Sequence, residues 1–383
     1  MRVLNVNSTL GLNTGGGNAE RTFQMSRFLA IGGIQSTVLT LDIELDEQRI
    51  VDLLPASIIV LPCLWKRFYF PWVKWKIIRQ SVQHTDIIHI MGHWSVLNAV
   101  VYLAVRLANK PYVVCPAGAL HIFGRSQIKK KLYNWIIGYS IIHNASGWIA
   151  VTNSEFSQFK EYGICESKIK VIPNGINTED FQPVKAQDFL DKNGLTGSKI
   201  ILFMGRLNLI KGPDILLNAF IKAQEYIHNY QLVFAGPDGG MLVMLQERAQ
   251  EAGITEMVHF VGYISGHDKL AAYQAAKLLV VPSRQEAMSI VALEAMLCAT
   301  PVLMTDQCGF GEIKSINPNL EVDVDVEKIA KKLVLLLTNE ESLEEVGSLL
   351  KEFAMRNYSW NKVILNFMDM YGDIIKNSPK QRM

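Results

Sequence analysis

Along most of its length the chain alternates between strand-sized apolar runs and stretches where apolar residues recur every three or four positions, and it does so twice. Strand runs fall at 2–7, 35–41, 87–91, 112–115, 147–151 and 168–172, with helical patterns at 19–31, 96–107, 128–143 and 155–162. Repeated strand–helix alternation builds parallel sheets with helices on both faces. The pattern stops at Pro173-Asn174-Gly175, a polar stretch runs to Ser198, and then it restarts. The second series puts strands at 199–204, 231–235, 257–261, 278–281 and 301–305. Its helices are at 214–226, 241–252, 269–275, 289–298, 326–337 and 343–353, and a last helical pattern, 360–375, closes the chain. The expected fold class is α/β, with two Rossmann-like doubly wound domains facing across a cleft. The first opens as such a unit does: a strand, a loop carrying Gly15-Gly16-Gly17, a helix and a second strand.

Composition narrows the setting. Hydrophobic residues make up 49% of the 383 and charged ones 19%, which supplies ample core for two domains. A net charge of +2 is too small to argue for a nucleic-acid partner. Cysteines 63, 115, 165, 298 and 308 are odd in number and form no CxxC pair, which reads as reduced thiols, neither a disulfide frame nor a zinc site. Residues 1–7 read as a strand and lack the apolar core of a signal peptide. The most apolar helical stretch, residues 96–108, contains Asn98 and Arg106 and reads as a buried helix. The expected location is cytoplasmic, peripheral at the inner face of a membrane.

The chemistry gathers in the second half. An apolar run ends at Pro282, a polar turn carries Glu286, and a helix-period pattern follows with Glu294 two turns along it. The first turn of such a helix presents free N–H groups to an anion. Gly205-Arg206-Leu207 and Lys211-Gly212 sit in the loop after another strand, where a guanidinium fork and a lysine point charge suit a diphosphate. Gly236-Pro237-Asp238 and Asp306 to Gly309 are two more strand-end turns. Parallel sheets bind ligands at these carboxyl ends.

Taken together, Gly205-Arg206-Leu207 then Lys211-Gly212, Ala235-Gly236-Pro237-Asp238, Pro282-Ser283 then Glu286 to Glu294-Ala295-Met296, and Asp306 then Gly309 resemble the retaining glycosyltransferases of family 4, which have the GT-B fold. Pro173-Asn174-Gly175-Ile176-Asn177 is similar to that family's interdomain stretch. The resemblance covers nearly the whole chain and implies an acceptor-binding domain over 1–175 and a nucleotide-sugar-binding domain over 176–358. Residues 359–383 would then be a C-terminal helix crossing back to the first domain. It implies that Arg206 and Lys211 hold the donor diphosphate, that Glu294 binds the ribose, and that Glu286 contacts the transferred sugar. Met288 and Ser289 would present backbone to that sugar, with Ile290 and Val291 behind them in the helix turn and Gly205, Gly236 and Pro237 lining the donor. Gly15, Gly16 and Gly17 would let the N-terminal loop approach the phosphates. The implied donor is a UDP- or GDP-sugar, the acceptor a glycan or lipid-linked sugar, and no cofactor or metal is expected. A nucleotide-sugar 2-epimerase, a phosphorylase and a non-catalytic sugar-nucleotide-binding subunit are the rival readings.

The chain departs from the family pattern in places. Met288-Ser289 stands where Phe-Gly is usual, and a serine is less free than glycine in a tight turn. His89-Ile90-Met91-Gly92-His93-Trp94 and Cys115-Pro116-Ala117-Gly118-Ala119-Leu120 match the N-terminal motifs only loosely, which leaves the catalytic-side histidine open between His93 and His121. Asp323-Val324-Asp325 has the letters of a metal-binding DxD, but it precedes a helix pattern, so Asp325 reads as an N-cap. Finally, residues 65–79 interleave aromatics with cations, and Lys129-Lys130-Lys131 precede Trp135, a composition suited to an anionic membrane surface.

Overall fold

The structure is a computed structural model that describes residues 1–66, 69–122 and 126–378; Arg67 and Phe68, inside the aromatic–basic stretch, lie outside the described residues. The chain divides into two units, Met1–Gly175 with the segment from Trp360 onward, and Ile176–Ser359.

In the first unit the strands are β1 Arg2–Val6, β2 Gln35–Leu41, β3 Ser57–Leu61, β4 Cys63–Trp65, β5 Phe70–Pro71, β6 Ile87–Met91, β7 Tyr112–Cys115, β8 Gly147–Ala150 and β9 Ile169–Val171. Seven form one parallel sheet in the order β3-β2-β1-β6-β7-β8-β9, and β4 pairs antiparallel with β5. The helices are α1 Leu12–Ile31, α2 Glu47–Asp52, α3 Trp75–Gln83, α4 Val96–Ala108, α5 Gln127–Tyr133, α6 Tyr139–His143 and α7 Phe156–Lys160. All five residues of β6 are buried, without alternation, because helices cover both faces of a parallel sheet. Leu4, Val6, Ile88, Ile90 and Val114 pack there against Val101 and Val105 of α4.

The second unit has β10 Lys199–Met204, β11 Tyr230–Ala235, β12 Val258–Gly262, β13 Ala276–Val281, β14 Val302–Thr305 and β15 Glu321–Val322, all parallel, in the order β12-β11-β10-β13-β14-β15. Its helices are α8 Ala186–Lys192, α9 Pro213–Ala223, α10 Leu242–Glu251, α11 Gly266–Ala275, α12 Ile290–Leu297, α13 Val326–Leu337 and α14 Glu340–Tyr358. Asp325 caps α13 by accepting from the Lys328 N–H at 2.8 Å. Its neighbour Asp323 is ion-paired with the Lys328 side chain.

The closing helix, α15 Trp360–Lys376, belongs to the first unit. Trp360 stacks on Phe28 of α1 at 6.2 Å, and its ring fills the space where Gly175 lacks a side chain. Met370 and Ile374 likewise occupy the space beside Gly147 of β8.

Two expectations need correction. Gly15, Gly16 and Gly17 do not form a loop: they lie in α1, which is interrupted at Gly16 (φ 53°, ψ −140°). That left-handed φ is one glycine adopts without strain. Residues 128–143 are not one regular helix either, because a π-helical turn at Asn134–Gly138 separates α5 from α6. Such turns are frequent at functional sites, and this one carries Asn134, which is hydrogen-bonded to His93 at 2.8 Å.

Candidate functional site

In a doubly wound sheet the loops after two adjacent strands part company where the strand order reverses, leaving a crevice at their carboxyl ends. In the second unit that point lies between β10 and β13. The loop after β10 carries Gly205, Arg206 and Lys211 into α9; the loop after β13 carries Pro282 to Ser289 into α12.

Across this crevice Lys211 Nζ donates to Glu286 Oε1 at 2.5 Å. The second carboxylate oxygen of Glu286 accepts from Ser283 Oγ at 2.9 Å. Glu286 is mostly buried and Lys211 about one-third exposed, so the pair has one side open to a ligand. Arg206 is exposed on the same loop, with its stem against Gly239 of the loop after β11.

The two loops are stitched together. Arg284 sends both terminal nitrogens to Asp214 of α9, at 2.9 and 2.6 Å, and one of them also reaches Leu209 O at 2.6 Å. Its own N–H donates to Ile210 O at 2.8 Å. Gly212, at φ 69°, starts α9 so close to Pro282 that any Cβ there would overlap the Pro282 carbonyl oxygen. The loop after β14 supports the Glu286 turn from below. Gln307 O accepts from Glu286 N at 3.0 Å, Cys308 O from Ser289 N at 3.2 Å, and Ser283 O from Thr305 Oγ1 at 2.6 Å. The Cys308 thiol is pushed up to about 12 by burial and by the nearby Glu286 charge, so it stays protonated. Gly205 and Gly236 continue the lattice, donating to Ala235 O (2.9 Å) and Gly262 O (2.7 Å), and Pro237 O accepts from Leu207 N at 3.0 Å.

The expectation for Ser289 changes here. Its N–H is taken by Cys308 O, so it does not present that group to a ligand. Its side chain caps α12, accepting from Ala292 N at 3.4 Å. Ser289 sits at φ −76°, a conformation any residue adopts, so the turn has no need of glycine. Met288 is buried, and Ile290 and Val291 form the first turn of α12, where N–H groups have no intrahelical acceptor.

Glu294 lies farther along the same helix, on α12. Lys269 Nζ donates to its Oε1 and Tyr273 OH to its Oε2, both at 2.7 Å. Sequence reasoning found Glu294 but missed Lys269, Tyr273, Ser283 and the Arg284–Asp214 clamp. The partners of Glu294 come from α11, across the strand β13, and no spacing rule links them to it.

In the first unit the strand order reverses between β1 and β6, and β6 runs into Gly92 and His93. His93 is buried, with Nε2 2.8 Å from Asn134 Oδ1 and the rings of Trp94, Tyr133 and Tyr162 set edge-on around it. The N-terminal turns of α1 lie alongside: a Cβ on Gly92 would meet Asn18 of that helix. His121, the other candidate, is exposed in a bend, so the structure does not bring the two histidines into one environment.

Burial holds the His93 imidazole down to about 4 and that of His89, inside β6, to about 3. Unfolded histidines protonate near 6.5. Between that pH and 4 the unfolded chain therefore binds protons that the native one refuses. The contribution of each histidine is complete above the unfolded value and is lost as pH falls toward the folded one. We expect His93 alone to account for on the order of 3 kcal/mol of lost stability across that window. Denaturant titrations at successive pH values would check this. An unchanged pH slope in His93→Phe would remove His93 as the cause.

Residues 186–352 match the family profile described as glycosyl transferases group 1, and residues 15–180 the one described as glycosyltransferase family 4. The chain is 32% identical over 213 residues to an uncharacterized glycosyltransferase of Methanocaldococcus jannaschii, spanning 54% of each protein. It is 29% identical over 316 residues to a D-inositol 3-phosphate glycosyltransferase of Corynebacterium urealyticum, covering 76% of this chain and 72% of the relative. The chain thus spans about half the length of the archaeal relative. Among solved structures, Anabaena HepE in complex with UDP and glucose superposes with a TM-score of 0.77 at 16% identity, over 97% of this chain and 100% of the other. Sucrose-phosphate synthase from Thermosynechococcus elongatus gives 0.75 at 20% identity, over 99% and 100%. At these identities the likeness establishes the fold.

Proposed function

Because the chain belongs to the group 1 glycosyltransferases of family 4, we propose that it moves a hexosyl residue from a nucleoside-diphosphate sugar to a glycan or lipid-linked acceptor, with retention of configuration. The observation that carries the reading is the Lys211–Glu286 pair at the switch-point crevice of the second unit. A cation beside a carboxylate there suits a donor whose diphosphate and hexose lie next to each other. Lys211 and Arg206 neutralise the diphosphate, which gains charge as its bond to the sugar breaks, and first-turn N–H groups of α12 add fixed dipoles. Glu286 faces the hexose hydroxyls and Glu294 the ribose. Each Glu294 oxygen already accepts one bond, which leaves lone pairs for two ribose hydroxyls.

In this scheme the anomeric carbon–oxygen bond to the diphosphate breaks while the acceptor oxygen bonds on the same face. The acceptor proton passes to the departing phosphate. No protein nucleophile, cofactor or metal is required. A UDP donor is favoured over GDP by the Anabaena neighbour, which was crystallised with UDP and glucose. The setting that suits such an enzyme is assembly of a surface polysaccharide at the cytoplasmic face of a membrane. No helix among the described residues is long and apolar enough to cross one.

A thermal-shift panel of UDP-, GDP- and ADP-sugars tests the donor, since a ligand that binds only the folded chain raises its melting temperature by mass action. One nucleotide class should stabilise the protein and be slowly hydrolysed without acceptor. A chain that no sugar nucleotide stabilises, and that releases no nucleoside diphosphate, would overturn the reading.

A further inference from the structure

Charge is unevenly spread along this chain. From Leu53 to Ser154 there are eleven Lys and Arg residues and a single carboxylate, Asp86, although the whole protein carries only +2. Asp86 is itself paired with Arg2 at 2.7 Å. This stretch also holds two exposed apolar features. One is the outer face of the segment running through α5, the π turn and α6. Ile128, Leu132, Trp135 and Ile136 recur at helical spacing on it, and Ile128 and Trp135 are each 83% exposed. Its inner face is the packed one, with Tyr133 bonded to Ser95 O and Ile141 and Ile142 in the core. Lys129 and Lys131 flank the ridge, both exposed. The other feature is the β4–β5 hairpin, where Leu64, Trp65, Phe70 and Trp72 are exposed and Lys66 and Lys74 accompany them.

Both lie on one edge of the sheet. The hairpin follows the carboxyl end of β3 and is tied to the end of β2 by Cys63 N donating to Asp42 Oδ1 at 2.7 Å. The helical segment sits on Ser95 and His93, past the carboxyl end of β6. In a parallel sheet these ends share an edge, the one where His93 and the start of α1 also lie.

An apolar helix face left in water, bordered by lysines, has the composition of an interfacial helix. We propose that this edge of the first unit docks on an anionic lipid bilayer, with the Ile128–Ile136 ridge and the hairpin aromatics at the acyl boundary and the lysines among the headgroups. The charge selects this occupant. A second copy would bring the same positive field against itself, whereas acidic lipid complements it. Aliphatic side chains on the ridge match acyl chains, not a phosphodiester backbone.

The test is flotation of the full-length protein with phosphatidylcholine vesicles, with and without phosphatidylglycerol. Binding should need the anionic lipid and weaken with salt. Changing Lys129, Lys130 and Lys131 together to Gln should lower partitioning roughly 100-fold, from the attraction typical of lysines near an acidic surface. Trp135→Ser with Ile136→Ser should lower it at least as far, with an unchanged melting temperature and unchanged donor hydrolysis. Wild-type protein that stays with the lipid-free fraction overturns the proposal, as do variants that float like wild type. A wild-type dimer that Trp135→Ser converts to monomer assigns the ridge to a second copy and overturns it too.

Discussion

Lys211→Ala is expected to cut transfer by about three orders of magnitude, and Glu286→Gln by a similar amount, but the two should part on nucleotide binding. In the ligand-free protein Lys211 gives its charge to Glu286 at 2.5 Å. A diphosphate entering the crevice therefore competes with a carboxylate for the same ammonium. On the proposed assignment, removing the lysine takes away a charge-assisted contact with the diphosphate, about 1.5–3 kcal/mol in binding. It also removes a fixed cation aimed at the leaving group, the kind of donor whose loss costs about 10²–10³ in turnover. Glu286→Gln removes the competitor instead. It should leave binding of the nucleoside diphosphate equal or tighter while transfer falls as far as in Lys211→Ala, since on the proposed assignment the hexose loses its carboxylate. Isothermal titration with nucleoside diphosphate, alongside transfer assays, reads both. Equal loss of nucleotide affinity in the two variants would break the assignment of one to the phosphate and the other to the sugar.

The fold could be read from the chain because buried parallel strands are continuous apolar runs. Residues 87–91, 112–115 and 199–204 need no partner to be recognised. What escaped was partly exposed. β3 is an edge strand with one fully buried residue, and α8 buries only Phe189 and Leu190 in an otherwise polar stretch. The run from Trp65 to Lys76 looked like a surface patch, and it is a hairpin leading into α3, whose only buried residues are Ile78 and Val82.

The site was legible as spacing and illegible as pairing. Glu286 and Glu294 stand out because they bracket the start of one helix. Nothing local says that Glu286 is matched by a lysine 75 positions earlier, or Glu294 by one 25 positions earlier. The first partner is set by the strand order, which brings the loop after β10 beside the loop after β13, and the second by α11 and α12, the helices on either side of β13 in the chain. The concern over serine at 289 came from judging a turn by residue type. The backbone there is extended, and the hydroxyl does capping work that a glycine cannot.

The same logic of distant pairing applies to Arg21, outside the site. Pro173-Asn174-Gly175 first showed as a break in the pattern, and the chain does leave the first unit there. Past β9 the ladder ends with Ile172 N donating to Ala150 O at 2.9 Å, and Pro173 has no N–H to offer. The carbonyls of this segment still need donors. Arg21 of α1, only 2% exposed, supplies them: one terminal nitrogen donates to Pro173 O at 2.7 Å and to Asn174 Oδ1 at 2.9 Å, the other to Ile172 O at 2.7 Å. Phe367 of α15 lies under the guanidinium at 5.4 Å, so the exit segment is held between the first and last helices of the chain. Arg21→Met keeps the stem and removes the donor to three acceptors, two of them buried, at about 1–3 kcal/mol for each left unsatisfied. Allowing for repacking, the expected loss is about 3–5 kcal/mol, or roughly 10 °C in the melting of this unit. Arg21→Lys should fall between, because one ammonium cannot reach all three acceptors in the plane that the guanidinium fork provides. Amide exchange at Ile172, Asn174 and Gly175, read together with the melting curve, locates the effect. A melting temperature within about 1 °C of wild type for Arg21→Met would mean that water replaces the guanidinium at no net cost.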